Sequence, residues 1–122
     1  MGVDRIERVN SLLRRVIAES MFTVMQGDTV EPGLITVTAV ECGSDLRDAI
    51  VKVSVFGDDR LKETALHHLQ HNARRFQSII NRQVRIKFTP RLEFRLDLSL
   101  EKGDEVLRLI EEIEGNGQSD PT

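Results

Sequence analysis

The chain has 122 residues, 39% hydrophobic and 30% charged, with one cysteine, three prolines and no tryptophan or tyrosine. That length suits one domain with a single core needing no staples, and the lone Cys42 excludes an intramolecular disulfide framework or a Cys-based zinc site. No apolar run approaches the ~20 residues that span a bilayer, and charges interrupt the N-terminus where a signal peptide needs an apolar stretch, so a soluble, cytoplasmic protein is expected.

Ile6, Val9, Leu13, Val16 and Ile17 recur at three- and four-residue spacing, which predicts a first helix, with Asp4 placed to cap its start. Gln26-Gly27-Asp28 and Glu31-Pro32-Gly33 punctuate the loop that follows. From Leu34 the period becomes two: Ile35, Val37 and Ala39 alternate with Thr36, Thr38 and Val40, a β-branched strand pattern. Cys42-Gly43-Ser44-Asp45 predicts a turn, with Asp45 as an Asx-type turn residue and Cys42 as a half-buried small hydrophobe. Val51, Val53 and Val55 then mark a second strand, paired antiparallel with the first.

Arg60 to about Arg82 is helical in pattern, with Leu61, Ala65, Leu69, Ala73, Phe76 and Ile80 on one stripe. Pro90 bounds the next segment. Leu92, Phe94, Leu96, Leu98 and Leu100 predict a third strand, and Val106, Leu107, Ile110 and Ile113 a last helix. Residues 1–114 are expected to form one domain and 115–122 a disordered tail, because that tail has nothing to bury. The class is α+β: a two-layer α-β-β-α-β-α order with helices on one face of a three-stranded sheet.

The net charge of −3 hides a local asymmetry. Between Arg74 and Arg95 seven basic residues face Glu93 alone, leaving −9 for the remainder of the chain. Arg75, Ser78 and Arg82 share a helical face with Arg74 beside them, and Arg85, Lys87 and Arg91 continue the charge; Arg5 and Arg108 fall off this stripe. Guanidinium forks fit phosphate oxygens, each neutralised phosphate releases counterions, and Arg outnumbers Lys thirteen to four. These seven side chains are the candidate RNA-binding residues. The five Phe fall mostly in apolar registers, so phosphate and shape contacts are expected to outweigh base stacking. The alternative to an RNA partner is an acidic protein partner.

His67 and His71, four apart with Glu63 on the same face, have the spacing of a zinc pair, but two imidazoles make a weak site. No metal or other cofactor, no catalytic residue and no small-molecule substrate is assigned. The rival enzyme reading is a small RNA-processing protein that uses His67 or His71.

Several pieces occur together and in order. Arg8-Val9 with Leu13 and Ile17, Glu31-Pro32-Gly33-Leu34 before Thr36–Glu41, Asp45-Leu46 with Ala49, Val51 and Val53, Pro90-Arg91-Leu92-Glu93-Phe94, and Glu101-x-Gly103 span about residues 5 to 114. In these the chain resembles the ribosome-binding factor A family of bacterial proteins with a type II KH-like fold. The resemblance implies a non-enzymatic factor that binds the immature small (30S) ribosomal subunit and its 16S rRNA, and assists late maturation at the 5′ end; a monomer is expected. The family interrupts its second helix at an Ala-x-Gly motif. Here Asn72-Ala73-Arg74 falls at that place, or Ala73-Arg74-Arg75 with a one-residue gap, and both lack the glycine. An interruption is still expected, because asparagine caps helices well: its side chain would accept from the N–H of Arg74 or Arg75 and open a new helix toward phosphate.

Overall fold

Each of the three strands carries one face that must be withdrawn from water, and the helices exist to cover it. The computed structural model describes residues 2–99. Helix α1 (Gly2–Val24) leads through a 3-10 turn to β1 (Ile35–Cys42) and β2 (Asp48–Val55). Helices α2 (Asp59–His71) and α3 (Ala73–Gln83) and strand β3 (Arg91–Leu96) follow. The sheet order is β1-β2-β3, with β1 antiparallel and β3 parallel to the central β2. This is the α+β arrangement the pattern predicts, with one core shared by all six elements. The last predicted helix and the tail lie outside the described residues.

Val51, Val53, Leu92 and Phe94 are fully or almost fully buried, and Leu13, Ile17, Leu69, Phe76 and Ile80 descend onto them from the helices. Burying side chains of this size stabilises by about 1.5–3 kcal/mol each. Phe76 of α3 meets Phe94 of β3 with ring centroids 5.4 Å apart. Asp58 caps α2, its carboxylate accepting from the Leu61 N–H at 2.8 Å. Gly57 just before it has φ +149°, and a Cβ there would stand 2.4 Å from Leu61 Cδ2, so the turn requires glycine.

Three expectations are corrected. Helix α1 begins at Gly2, so Asp4 lies within its first turn and not at the N-cap position. Strand β1 does not alternate throughout: a bulge between Val37 and Ala39 adds one residue, turning Val40 into the core and leaving Ala39 half-buried. Strand β3 ends at Leu96, two residues short of Leu98, which is exposed. The chain turns there because the Asp97 carboxylate accepts from the N–H and the hydroxyl of Ser99.

The outer edge of β3 is closed by side chains. Gln70 of α2 donates to the Leu92 carbonyl at 3.1 Å and accepts from the Phe94 N–H at 2.9 Å, as a neighbouring strand would. Gln77 of α3 accepts from the Leu92 N–H at 3.1 Å. An edge occupied this way cannot template another chain. Gln70→Ala is therefore expected to cost about 1–2 kcal/mol, the net worth of two hydrogen bonds, and to make the protein associate as concentration rises. Thermal unfolding and sedimentation velocity test both effects.

Asp97 also ties the sheet together. Besides Ser99 it accepts from Thr38 Oγ1 at 2.6 Å, across from the β1 bulge. Ser99 and Thr38 hold its carboxyl down to about 2, against an ordinary value of 3.8. A carboxyl depressed on folding adds stability that is present above pH 4 and lost as pH falls through about 2. Melting temperatures measured from pH 6 to pH 2 should show this loss, and Asp97→Asn should flatten it.

Candidate nucleic-acid interface

The helical run from Asp59 to Gln83 is broken at Asn72, which has φ −95° and ψ 8°. Its side chain is not the N-cap expected. Asn72 is only 8% exposed, and its amide points back, donating to the His68 carbonyl at 2.9 Å and to Met25 Sδ at 3.6 Å. The Asn72 carbonyl accepts from the Arg75 N–H at 3.0 Å, so that N–H is not open to a phosphate. The amide is drawn inward because the end of α1 packs beneath the junction and burial leaves it no solvent partner.

That packing also positions Arg75. Helix α1 has no basic residue in its last turn, and Arg75 Nη1 donates to the Val24 carbonyl at 3.3 Å and to Asn72 Oδ1 at 3.5 Å. A cation at a helix C-terminus is favoured by the dipole. Close by, His68 Nδ1 pairs with Asp28 Oδ1 from the loop after α1. Burial opposes the Asp28 charge, but the His68 contact and the backbone N–H of Val30 hold its carboxyl below the ordinary value.

On α3, Ala73, Phe76 and Ile80 face the core and Arg74, Arg75, Ser78 and Arg82 are all exposed. At 3.6 residues per turn these four fall within an arc of about 100° opposite the buried stripe. The structure thus brings together the helical part of the predicted basic surface. Arg85 and Lys87 are exposed in the segment leaving α3. Arg91 is separated from them: it follows the alternation of β3 onto the open face of the sheet and pairs with Asp48 at 3.0 Å.

His67, His71 and Glu63 are exposed on α2, and among the described residues no group of three or more His, Cys, Asp or Glu could hold a metal ion. Asp45 forms the expected turn, accepting from the Arg47 N–H at 3.0 Å. Cys42 is half-buried, and burial pushes its thiol pKa up, away from nucleophilic character. Among the described residues no helix is long and apolar enough to cross a membrane.

The expectation about aromatics needs correction. Phe22, Phe56 and Phe88 are 64%, 80% and 52% exposed, so only Phe76 and Phe94 are core. Phe56 and Phe88 lie just beyond regular elements, where no periodicity assigns a face, and Phe22 sits outside the buried stripe of α1. Phe88 lies within 5.7 Å of the Arg47 guanidinium and 5.4 Å of Lys87 Nζ, measured to the ring centroid. Arg5, assigned off the stripe, lines the same cleft as Lys87 and Phe88; Arg108 lies outside the described residues.

Comparison with known proteins gives one consistent answer. The family model described as ribosome-binding factor A matches residues 5–110. A ribosome-binding factor A from Synechococcus sp. (strain CC9605) is 32% identical over 114 residues, covering 93% of this chain and 81% of the relative. The crystal structure of ribosome-binding factor A from Thermus thermophilus superposes with a TM-score of 0.64 at 30% identity, over 75% of this chain and 94% of that one. A Thermus thermophilus ribosome-binding factor A homology model, fitted into the cryo-EM map of a 30S complex, aligns with a TM-score of 0.59 at 31% identity, over 73% and 91% of the two chains. The three helices and mixed three-stranded sheet match the type II KH-like fold of these structures. The matched residues, the shared fold and the relatives together show that the chain belongs to the ribosome-binding factor A family, whose members are non-enzymatic ribosome assembly factors.

Proposed function

We propose that this protein binds the immature small ribosomal subunit as a cytoplasmic monomer and assists late maturation at the 5′ end of 16S rRNA. The observation that carries the reading is the arc of Arg74, Arg75, Ser78 and Arg82 on the exposed side of α3, beginning at the helix break. A Thermus thermophilus relative of the same fold has been fitted into a 30S complex, which supplies the partner class.

Rigid helices present guanidinium groups at fixed spacing, and each fork can bind a phosphate bidentately. Arg75 uses one nitrogen on Val24 and Asn72 and keeps further donors, so it meets phosphate already oriented. Arg85 and Lys87 extend the track beyond the helix. Arg91 contributes less, since Asp48 already neutralises it on the other side of the sheet.

About five phosphate contacts should make affinity for isolated small subunits fall on the order of a hundredfold between 50 and 200 mM salt. A filter-binding or co-sedimentation titration with a flat salt response would sink the electrostatic account.

Reversing Arg74 and Arg82 together to Glu should weaken association at least as much, while stability changes by only about 0.5 kcal/mol per exposed site. Arg75 is spared in that variant because it also braces α1. Arg60→Glu, at the start of α2 and about 18 Å along the helix from Asn72, serves as the control and should bind nearly as the parent does. Equal loss from both variants would place the surface elsewhere.

A further inference from the structure

At the far end of the basic track stands a cleft of about 240 Å³ between the start of α1, the β1–β2 turn and the segment leading into β3. Ile6, Leu46 and Ile86 give it an apolar lining, Phe88 contributes a half-exposed ring, and Arg5, Asp45 and Lys87 add charge. The turn is held in an unusual backbone. Leu46 has φ +59°, a left-handed conformation costly for a branched side chain, and is the one non-glycine residue with positive φ among the described residues. Asp45, the Leu46 N–H bonded to the Gly43 carbonyl, and the Arg91 N–H bonded to the Arg47 carbonyl fix this turn. Strain sustained in this way places Leu46 in the cleft and Arg47 beside the Phe88 ring.

We infer that this cleft seats one unpaired RNA base stacked on Phe88, with its flanking phosphates on Arg47, Lys87 and Arg5. The inference rests on the reading of the protein as an rRNA binder and adds a second mode of contact to the α3 arc. An exposed ring beside an apolar recess with basic neighbours is the arrangement by which proteins hold single-stranded nucleic acid. Arg47 and Lys87 lie near the outer limit for contact with the ring, and both are exposed, so each can turn to a phosphate while the ring face takes a base. The Asp45 carboxylate decides what enters. It repels a phosphate from the recess but accepts from the exocyclic amino group of cytosine, adenine or guanine. The one donor of uracil, N3–H, lies between two carbonyls that a carboxylate repels, so uracil fits less well. Continuity supports the same occupant: Arg85 and Lys87 lie between α3 and Phe88 in the chain, and a strand following the arc is led to the ring.

The test uses the full chain and single-stranded RNA ten-mers carrying one 2-aminopurine, whose fluorescence is quenched on stacking and is unobscured because the protein has no tryptophan or tyrosine. Binding should quench the probe. Phe88→Ala should weaken the ten-mer on the order of tenfold or more and abolish quenching, whereas Phe88→Trp, read by filter binding, should retain affinity. Phe88→Leu keeps an apolar side chain without a ring and should behave as Phe88→Ala, which separates stacking from a folding defect. Oligo-C should bind more tightly than oligo-U, and Asp45→Asn should narrow that difference. Unchanged ten-mer binding by Phe88→Ala would overturn the inference, as would equal losses from Phe22→Ala and Phe56→Ala. Loss of small-subunit binding without loss of ten-mer binding would also overturn it, by making the occupant a protein. If the parent chain binds ten-mers but not small subunits, the proposed function fails and the base seat stands.

Discussion

The side-chain amide of Asn72 is almost wholly withdrawn from water, and a buried amide left unpaired costs about 1–3 kcal/mol. Its partners come from three segments: the His68 carbonyl on α2, Met25 just after α1, and Arg75 on α3. Satisfying that one group therefore fixes where α1 ends, where α2 stops and the direction in which α3 leaves. Arg75 ties this junction to the proposed binding surface, because the same guanidinium that completes the Asn72 amide closes the C-terminus of α1 and belongs to the exposed basic arc.

The rest of the architecture follows from covering a one-faced sheet. Helices α2 and α3 cover its core face, with Phe76 against Phe94, and their glutamines occupy the backbone groups of β3 that a further strand would need. The opposite face carries paired charges, Lys52 with Glu41 at 3.1 Å and Arg91 with Asp48 at 3.0 Å, which leave it hydrated and electrically quiet. The exposed basic residues of α3 and of the segment that leaves it lie apart from that face. A protein of net charge −3 can in this way present one strongly positive surface to a polyanion.

Family membership and side-chain geometry answer different questions here. The relatives establish the fold and the class of factor, while this chain lacks the glycine expected at the helix interruption. The break occurs nonetheless, with Asn72 in ordinary negative-φ space. Glycine is needed where a backbone must enter left-handed territory, and at this junction the backbone never does.

Periodicity located α1, the strands and the helical run from Asp59 to Gln83, because apolar spacing reports which face of a helix or strand meets the core. It placed Arg74, Arg75, Ser78 and Arg82 on one side of that run. It read the run as one helix, and the break at Asn72 was expected from the family resemblance and the capping tendency of asparagine. Composition and charge distribution determined that the basic residues cluster in one segment. The tertiary structure decided what depends on contacts distant in sequence. It separated Arg91 from the arc by the alternation of β3, turned the Asn72 side chain inward against Met25, and joined Arg5, Arg47 and Phe88 across more than eighty residues of chain. It also exposed Phe22, Phe56 and Phe88, two of which lie in segments with no repeat. Local pattern encodes burial only within regular elements; in turns and connections a side chain's environment is set by whatever the fold brings beside it.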